Sequence, residues 1–179
     1  MPRYVALLRG INVGRHQQIV MADLRALLEG LGHTDVATVL RSGNALLTAA
    51  EADARRLEGD IEQVIAAQLG LTVACVVRSA DELRAVIAGN PLLDRATDHS
   101  KLMAIFLSAA PDPDLLAAHD PSALAPDDIV LGDRVIYQWC PDGILAAPAS
   151  GTFAERHLEV TATARNWKTV TRLATRLEP

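Results

Sequence analysis

Three short stretches hold the residue types from which a site is built. The first is Leu8-Arg9-Gly10-Ile11-Asn12-Val13-Gly14-Arg15, between an apolar run and an amphipathic one. Gly10 and Gly14 let the backbone take positive φ and come close to a ligand. A helix starting just beyond them presents open N–H groups and the positive end of its dipole. Arg9 and Arg15 flank the loop and offer charge-assisted donors to a phosphate or carboxylate, with Asn12 between them. The spacing is neither the dinucleotide fingerprint nor a Walker loop, since a third glycine and a Gly-Lys-Ser/Thr are both missing. The second stretch, Ser42-Gly43-Asn44, has hairpin-turn chemistry. Where such a turn meets the loop, Ser42 and Asn44 add polar atoms, and Asn44 can orient a water or a ligand oxygen. The third is Thr163-Ala164-Arg165-Asn166-Trp167-Lys168-Thr169-Val170. On a helix starting near Thr163, Arg165, Lys168 or Thr169, Arg172 and Arg176 form one basic stripe. Trp167, Val170, Ala174 and Leu177, with Leu173 beside them, form its apolar face. Arg165 and Asn166 then sit in the first turn, where a cation opposes the helix dipole by roughly 0.3–1 kcal/mol. A buried partner or a ligand is expected to offset that.

In this order and spacing the three stretches resemble the domain of unknown function family 1697 (DUF1697). Asn90-Pro91 fits the same pattern, and Arg15 stands where the pattern often has a second glycine after Gly14. The resemblance spans nearly the whole chain. It implies an established family without a settled activity, and so a fold rather than a reaction.

The elements that must position these residues follow from periodicity. Tyr4–Leu8 reads as a buried strand and Gly10–Gln18 as a loop. Met21–Leu31 places Leu24, Leu27, Leu28 and Leu31 on one helical face. Val36–Leu40 and Ala45–Thr48 read as strands, Glu51–Leu69 as a helix ended by Gly70, and Leu71–Val77 as a strand. The order β-α-β-β-α-β predicts an α+β, ferredoxin-like split βαβ subdomain over residues 1–90. Beyond it, Ala80–Ala88 is a helix, Leu102–Leu107 a strand and Pro111–His119 a short helix. Ile129–Leu131 and Arg134–Trp139 are strands about Gly132-Asp133, and Ala147–Thr152 is a loop. A last helix runs to about Arg176. The second subdomain, 91–179, thus reads β-α-β-β-α with a C-terminal basic helix. The order suggests a duplication lacking its final strand, without a clear repeat in the residues.

Composition bounds the function. At 179 residues the chain makes one domain or two small subdomains sharing a core. The net charge of −5 excludes a protein-wide cationic field for nucleic acid. Charge is uneven, however: Asp81–Asp142 holds eleven acids and four bases, Arg156–Arg176 five bases and one acid. No apolar run reaches the ~18 residues of a membrane span. Two cysteines exclude a disulfide scaffold; Cys75 lies in an apolar strand and Cys140, beside Pro141, is expected to be more exposed. The expectation is a cytoplasmic protein without cofactor. The five histidines have no ligand spacing, so no metal is expected. The strands lack the stacking aromatics of an RNA-recognition sheet.

Three functions stay open. One is binding of a phosphate-bearing ligand, a nucleotide or a nucleic-acid backbone, through Arg9, Gly10, Asn12, Gly14, Arg15, Ser42, Asn44, Arg165, Asn166 and Arg172. Another is an interaction protein whose motifs are structural. The third is a small hydrolase of an anionic, acyl phosphate-like substrate, with Asn44 positioning water.

Overall fold

The computed structural model describes residues 1–50 and 53–178. The chain divides into two units. The first comprises Met1–Leu83 and the chain from Leu173 onward, the second Arg84–Arg172.

In the first unit, β1 (Arg3–Leu8), β2 (Thr34–Val39), β3 (Asn44–Thr48) and β4 (Cys75–Ser79) form a sheet in the order β2-β3-β1-β4. Every neighbouring pair is antiparallel. Helices α1 (Met21–Gly30) and α2 (Ala54–Leu69) lie on one face. Leu24 and Leu28 of α1 and Leu57, Ile61 and Ile65 of α2 recur at helical spacing and meet Tyr4, Ala6, Leu8, Leu47, Cys75 and Val77 of the strands. Asp53 caps α2, accepting from the Arg55 N–H at 3.3 Å, and Gly70, at φ 66°, ends it. Glu51, expected as the start of this helix, lies outside the described residues.

The second unit begins within α3 (Ala80–Ala88). It holds β5 (Leu102–Leu107), α4 (Pro113–Ala118), β6 (Ile129–Gly132), β7 (Val135–Trp139), α5 (Ser150–His157) and β8 (Ala162–Asn166), followed by α6 (Trp167–Leu177). Its sheet order is β6-β7-β5-β8, again antiparallel throughout. The register repeats as well. Leu7 opposes Asn44, and Phe106 opposes Val135; Val5 opposes Arg78, and Ala104 opposes Arg165. The two halves share one strand plan under unrelated residues.

The α+β class stands, with two four-stranded sheets, but the second half departs from expectation in two places. Residues from Ser150 form α5 rather than a loop. Ala162–Asn166 is a strand rather than the start of the last helix. The second half is therefore not β-α-β-β-α; the missing strand is present. The physical reason is the partner strand: Ala162–Asn166 completes a ladder along β5, which outweighs its helix-compatible composition. Asn166 then ends the strand and starts α6, its Oδ1 accepting from the Thr169 N–H at 2.9 Å. Arg165 is thereby removed from the basic helix. Two smaller differences lie at strand ends. Asn44 is the first residue of β3, opposite Val39, so the turn is residues 40–43. The strand expected from Leu71 starts at Cys75.

Among the described residues no helix is long and apolar enough to cross a membrane.

Candidate functional site

The stretch between β1 and α1 is a loop pinned by one side chain. Asn12 sits at φ 55°, a left-handed conformation that asparagine tolerates. Its Oδ1 accepts from the Ile19 N–H at 2.9 Å, and its Nδ2 donates to Ile19 O at 3.0 Å. The amide thus pairs with Ile19 as a strand would. Nδ2 also donates to Arg41 O at 2.7 Å, in the β2–β3 turn. The Asn12 N–H donates to Gln17 O at 3.1 Å, and a bridge joins Val13 to His16.

Loop and turn meet a second time. The Leu8 N–H donates to Gly43 O at 2.8 Å, and Gly43, at φ 90°, packs under Ile11 and Leu8. A side chain there would come within 2.8 Å of Ile11 Cδ1. The first two sequence motifs therefore join in one corner of the unit. Asn44 is fully buried at that corner, donating from Nδ2 to Val39 O at 2.8 Å and to Ser42 Oγ at 3.0 Å.

Beside the loop lies a hollow of about 580 Å³, walled by Arg9, Gly10, His16, Gln17, Thr72 and Ala74. Two bonds join its halves: the Arg9 N–H donates to Ala74 O at 2.8 Å, and Gln17 Nε2 donates to Thr72 O at 3.0 Å. Gly10 has φ 66°, and nothing lies within 4 Å of where its Cβ would be, so the backbone faces open space. Among the described residues no acidic side chain is in the wall. Gly14 and Arg15 lie exposed at the loop tip, outside that wall. His16, Gln17, Thr72 and Ala74 were not singled out from the sequence. The last two are brought in by strand pairing between β1 and the chain before β4, which no local signal announces.

Arg165, Asn166 and Arg172 belong to the other unit. Arg165 is 7% exposed and donates from Nη1 to Thr163 Oγ1 at 2.9 Å and Ala164 O at 2.8 Å. Asn166 is the helix cap described above. Arg172 is exposed on α6, between Lys168 and Arg176 at i, i+4 and i+8, so three cations of the expected stripe remain. Lys168 Nζ lies 3.9 Å from Asp98 Oδ1. The Asp98 carboxyl is held below its ordinary value by hydrogen bonds from Ser100, with lesser help from Lys168. Trp167 is core, edge-on to Tyr137 with ring centroids 6.3 Å apart. Cys140, expected to be exposed, is buried, and burial pushes its thiol up. Among the described residues no group of three or more His, Cys, Asp or Glu is placed to hold a metal ion.

The chain is similar over 99% of its length, and 99% of the other's, to a conserved bacterial protein from Streptococcus pneumoniae, SP0830, with 25% identity and a TM-score of 0.73. No curated protein matches it significantly. The model for "Protein of unknown function (DUF1697)" matches residues 1–137, a span that includes the Arg9–Gly14 loop, the Ser42–Asn44 corner and the hollow beside them. The chain belongs to the DUF1697 family.

Proposed function

We propose that the protein binds a phosphate-bearing small molecule in the hollow over Arg9 and Gly10. The observation that carries this reading is the wall itself: among the described residues it holds a guanidinium, an imidazole, a side-chain amide and a bare glycine backbone, and no acid. Arg9 supplies the charge and the fork that phosphate oxygens accept from. Asn12 and Asn44 act as structural pins, because their amides are engaged with Ile19, Arg41 and Val39. This leaves the hydrolytic role of Asn44 without support. The strand order of the first unit is read as the ferredoxin-like arrangement, and two cysteines without a disulfide fit a reducing cytoplasm.

The stripe of Lys168, Arg172 and Arg176 favours a second reading, a nucleic-acid backbone as the anion. Salt separates the two. A polymer's log K falls by roughly 0.7–0.9 per neutralised phosphate with log salt. Thermal shifts with inorganic phosphate, nucleotides, sugar phosphates and a short oligonucleotide test the proposal. A ligand at 100 times its Kd adds about 2.7 kcal/mol. The expected result is a shift with one class of small phosphate that Arg9→Ala abolishes. No shift across the panel, or a shift that Arg9→Ala leaves intact, overturns it.

A further inference from the structure

The repeated strand plan exposes a place where the second unit is unfinished. In the first unit β4 is an edge strand, and two of its outward N–H groups are taken by carboxylates of α2. The Cys75 N–H donates to Glu62 Oε1, and the Val77 N–H donates to Glu58 Oε1, each at 2.8 Å. In the second unit β8 is the equivalent edge, with Ala162 and Ala164 matching Cys75 and Val77 by register. The Ala162 N–H donates to Glu155 Oε1 at 3.1 Å, so Glu155 of α5 plays the part of Glu62. Four residues before Glu155, where α2 has Glu58, α5 has Gly151. Among the described residues the Ala164 N–H has no partner, and Ala164 is exposed.

The neighbouring positions change with it. Leu57, a core residue of α2, is matched by Ser150, which is 1% exposed and whose Oγ has no hydrogen-bond partner among the described residues. Leu47, opposite Tyr4, is matched by Gln138, opposite Met103; its Nε2 donates to Pro148 O at 2.8 Å. Three places that the first unit fills with two leucines and a glutamate hold a serine, a glycine and a glutamine here. The result is a cavity of about 300 Å³ lined by these three residues, Ala164, Met103 and Ile105. Ile144 and the fully exposed Leu145 extend the lining as apolar surface. Among the described residues no charged side chain is in the lining, and α5 starts without a side-chain cap. At the roughly 30 Å³ of a water-sized group, the cavity holds about ten non-hydrogen atoms.

We propose that this cavity binds a medium-chain carboxylate, its head on the Ala164 N–H and the Ser150 hydroxyl and its chain along Met103, Ile105, Ile144 and Leu145. The head takes the place that the Glu58 carboxylate holds in the first unit. The start of α5 adds the favourable end of a helix dipole. The buried hydroxyl is retained because the ligand, rather than the protein, is its partner. The site is distinct from the hollow at Arg9.

Octanoate has the size and head for this cavity. The full chain is titrated with it by calorimetry, and the ¹H–¹⁵N spectrum locates the site. Saturable binding that shifts the Ala164 and Gly151 amides is expected. Octanol, which lacks the carboxylate, binds at least about tenfold more weakly. Ser150→Ala weakens octanoate about tenfold or more and raises the melting temperature of the free protein, since an unpaired buried hydroxyl is removed. Gly151→Glu supplies the missing carboxylate from the chain, and so abolishes octanoate binding while raising the melting temperature. The space allows it: a Cβ at Gly151 meets Ile105 Cγ2 at 3.6 Å, ordinary contact. No saturation, unshifted Ala164, octanol binding as well as octanoate, or unchanged affinity in Ser150→Ala each overturns the proposal. So does a Gly151→Glu protein that folds and still binds.

Discussion

Arg78 and Arg165 occupy the same register position in two different sheets. Arg78 opposes Val5, the third residue of β1, and Arg165 opposes Ala104, the third residue of β5. Each is the fourth residue of a five-residue edge strand, and each donates from Nη1 to the preceding carbonyl, Val77 O at 2.9 Å and Ala164 O at 2.8 Å. Both are buried, Arg78 to 1% exposure. The residue that follows each arginine caps the next helix: Ser79 Oγ accepts from the Glu82 N–H, and Asn166 Oδ1 from the Thr169 N–H. Truncating either arginine opens a large void. Arg78→Ala and Arg165→Ala are each expected to lose about 2–5 kcal/mol in urea unfolding. Arg78→Met keeps most of the volume without the charge and is expected to lose less. Equal effects of alanine and methionine at Arg78 would show that charge rather than volume holds the position.

Glu58 gives a pH signature. Burial raises its carboxyl above the ordinary 4.5, against the lowering effects of the Val77 N–H and of Arg78. A carboxyl raised in the folded state binds more protons folded than unfolded, so stability falls as pH rises from 4.5 through the raised value. Glu58→Gln keeps an oxygen for the Val77 N–H and removes the buried charge. It is expected to melt above wild type at pH 7, with the difference closing as pH falls below 4.5. A deficit at pH 7 would mean that the charge itself, through Arg78, is needed.

Gly43 tests the corner where loop and turn meet. Its φ of 90° disfavours any side chain, and a Cβ there clashes with Ile11 and Leu8 at 2.8–2.9 Å. Gly43→Ala is expected to cost about 1–3 kcal/mol or more. Gly14, also at positive φ but with open space around it, is expected to tolerate alanine better. Urea midpoints of the two variants give the comparison.

Tyr137 donates from its hydroxyl to Val86 O at 2.7 Å, and burial, aided by Asp133, pushes its phenol up to about 12. Folded-state protons are then held between the ordinary value of 10 and about 12, so stability falls across that range as pH rises. Spectrophotometric titration is expected to show a phenol that ionises only near unfolding. Tyr137→Phe removes that late phase and costs about 1–3 kcal/mol by leaving a buried carbonyl without its donor.

The first half of the fold was legible because its signals are local. Leu24 and Leu28, or Leu57, Ile61 and Ile65, announce a helix by spacing, and Gly70 announces its end. The second half was not, because Thr161-Ala162-Thr163-Ala164 suits a helix or a strand, and the choice is made by β5, over fifty residues away. Once Asn166 caps α6, Arg165 leaves the helix on which it completed a basic stripe. The candidate site was half legible. Arg9 and Gly10 stand out by type and spacing, whereas Thr72 and Ala74 reach them only through pairing across the sheet. The acceptor roles of the edge carboxylates Glu58, Glu62 and Glu155 depend on a strand their own sequence does not mention.

Arg3 sets an order of events during synthesis. Its guanidinium donates to the carbonyls of Arg176, Leu177 and Glu178, closing the last turn of α6, across a separation of 174 residues for the Leu177 bond. At about 5–20 residues per second, roughly 9–35 s pass between the making of one partner and the other. Every strand of both sheets has been translated before that clasp can form. β1 therefore waits, its arginine uncommitted, until the last turn of α6 has been made.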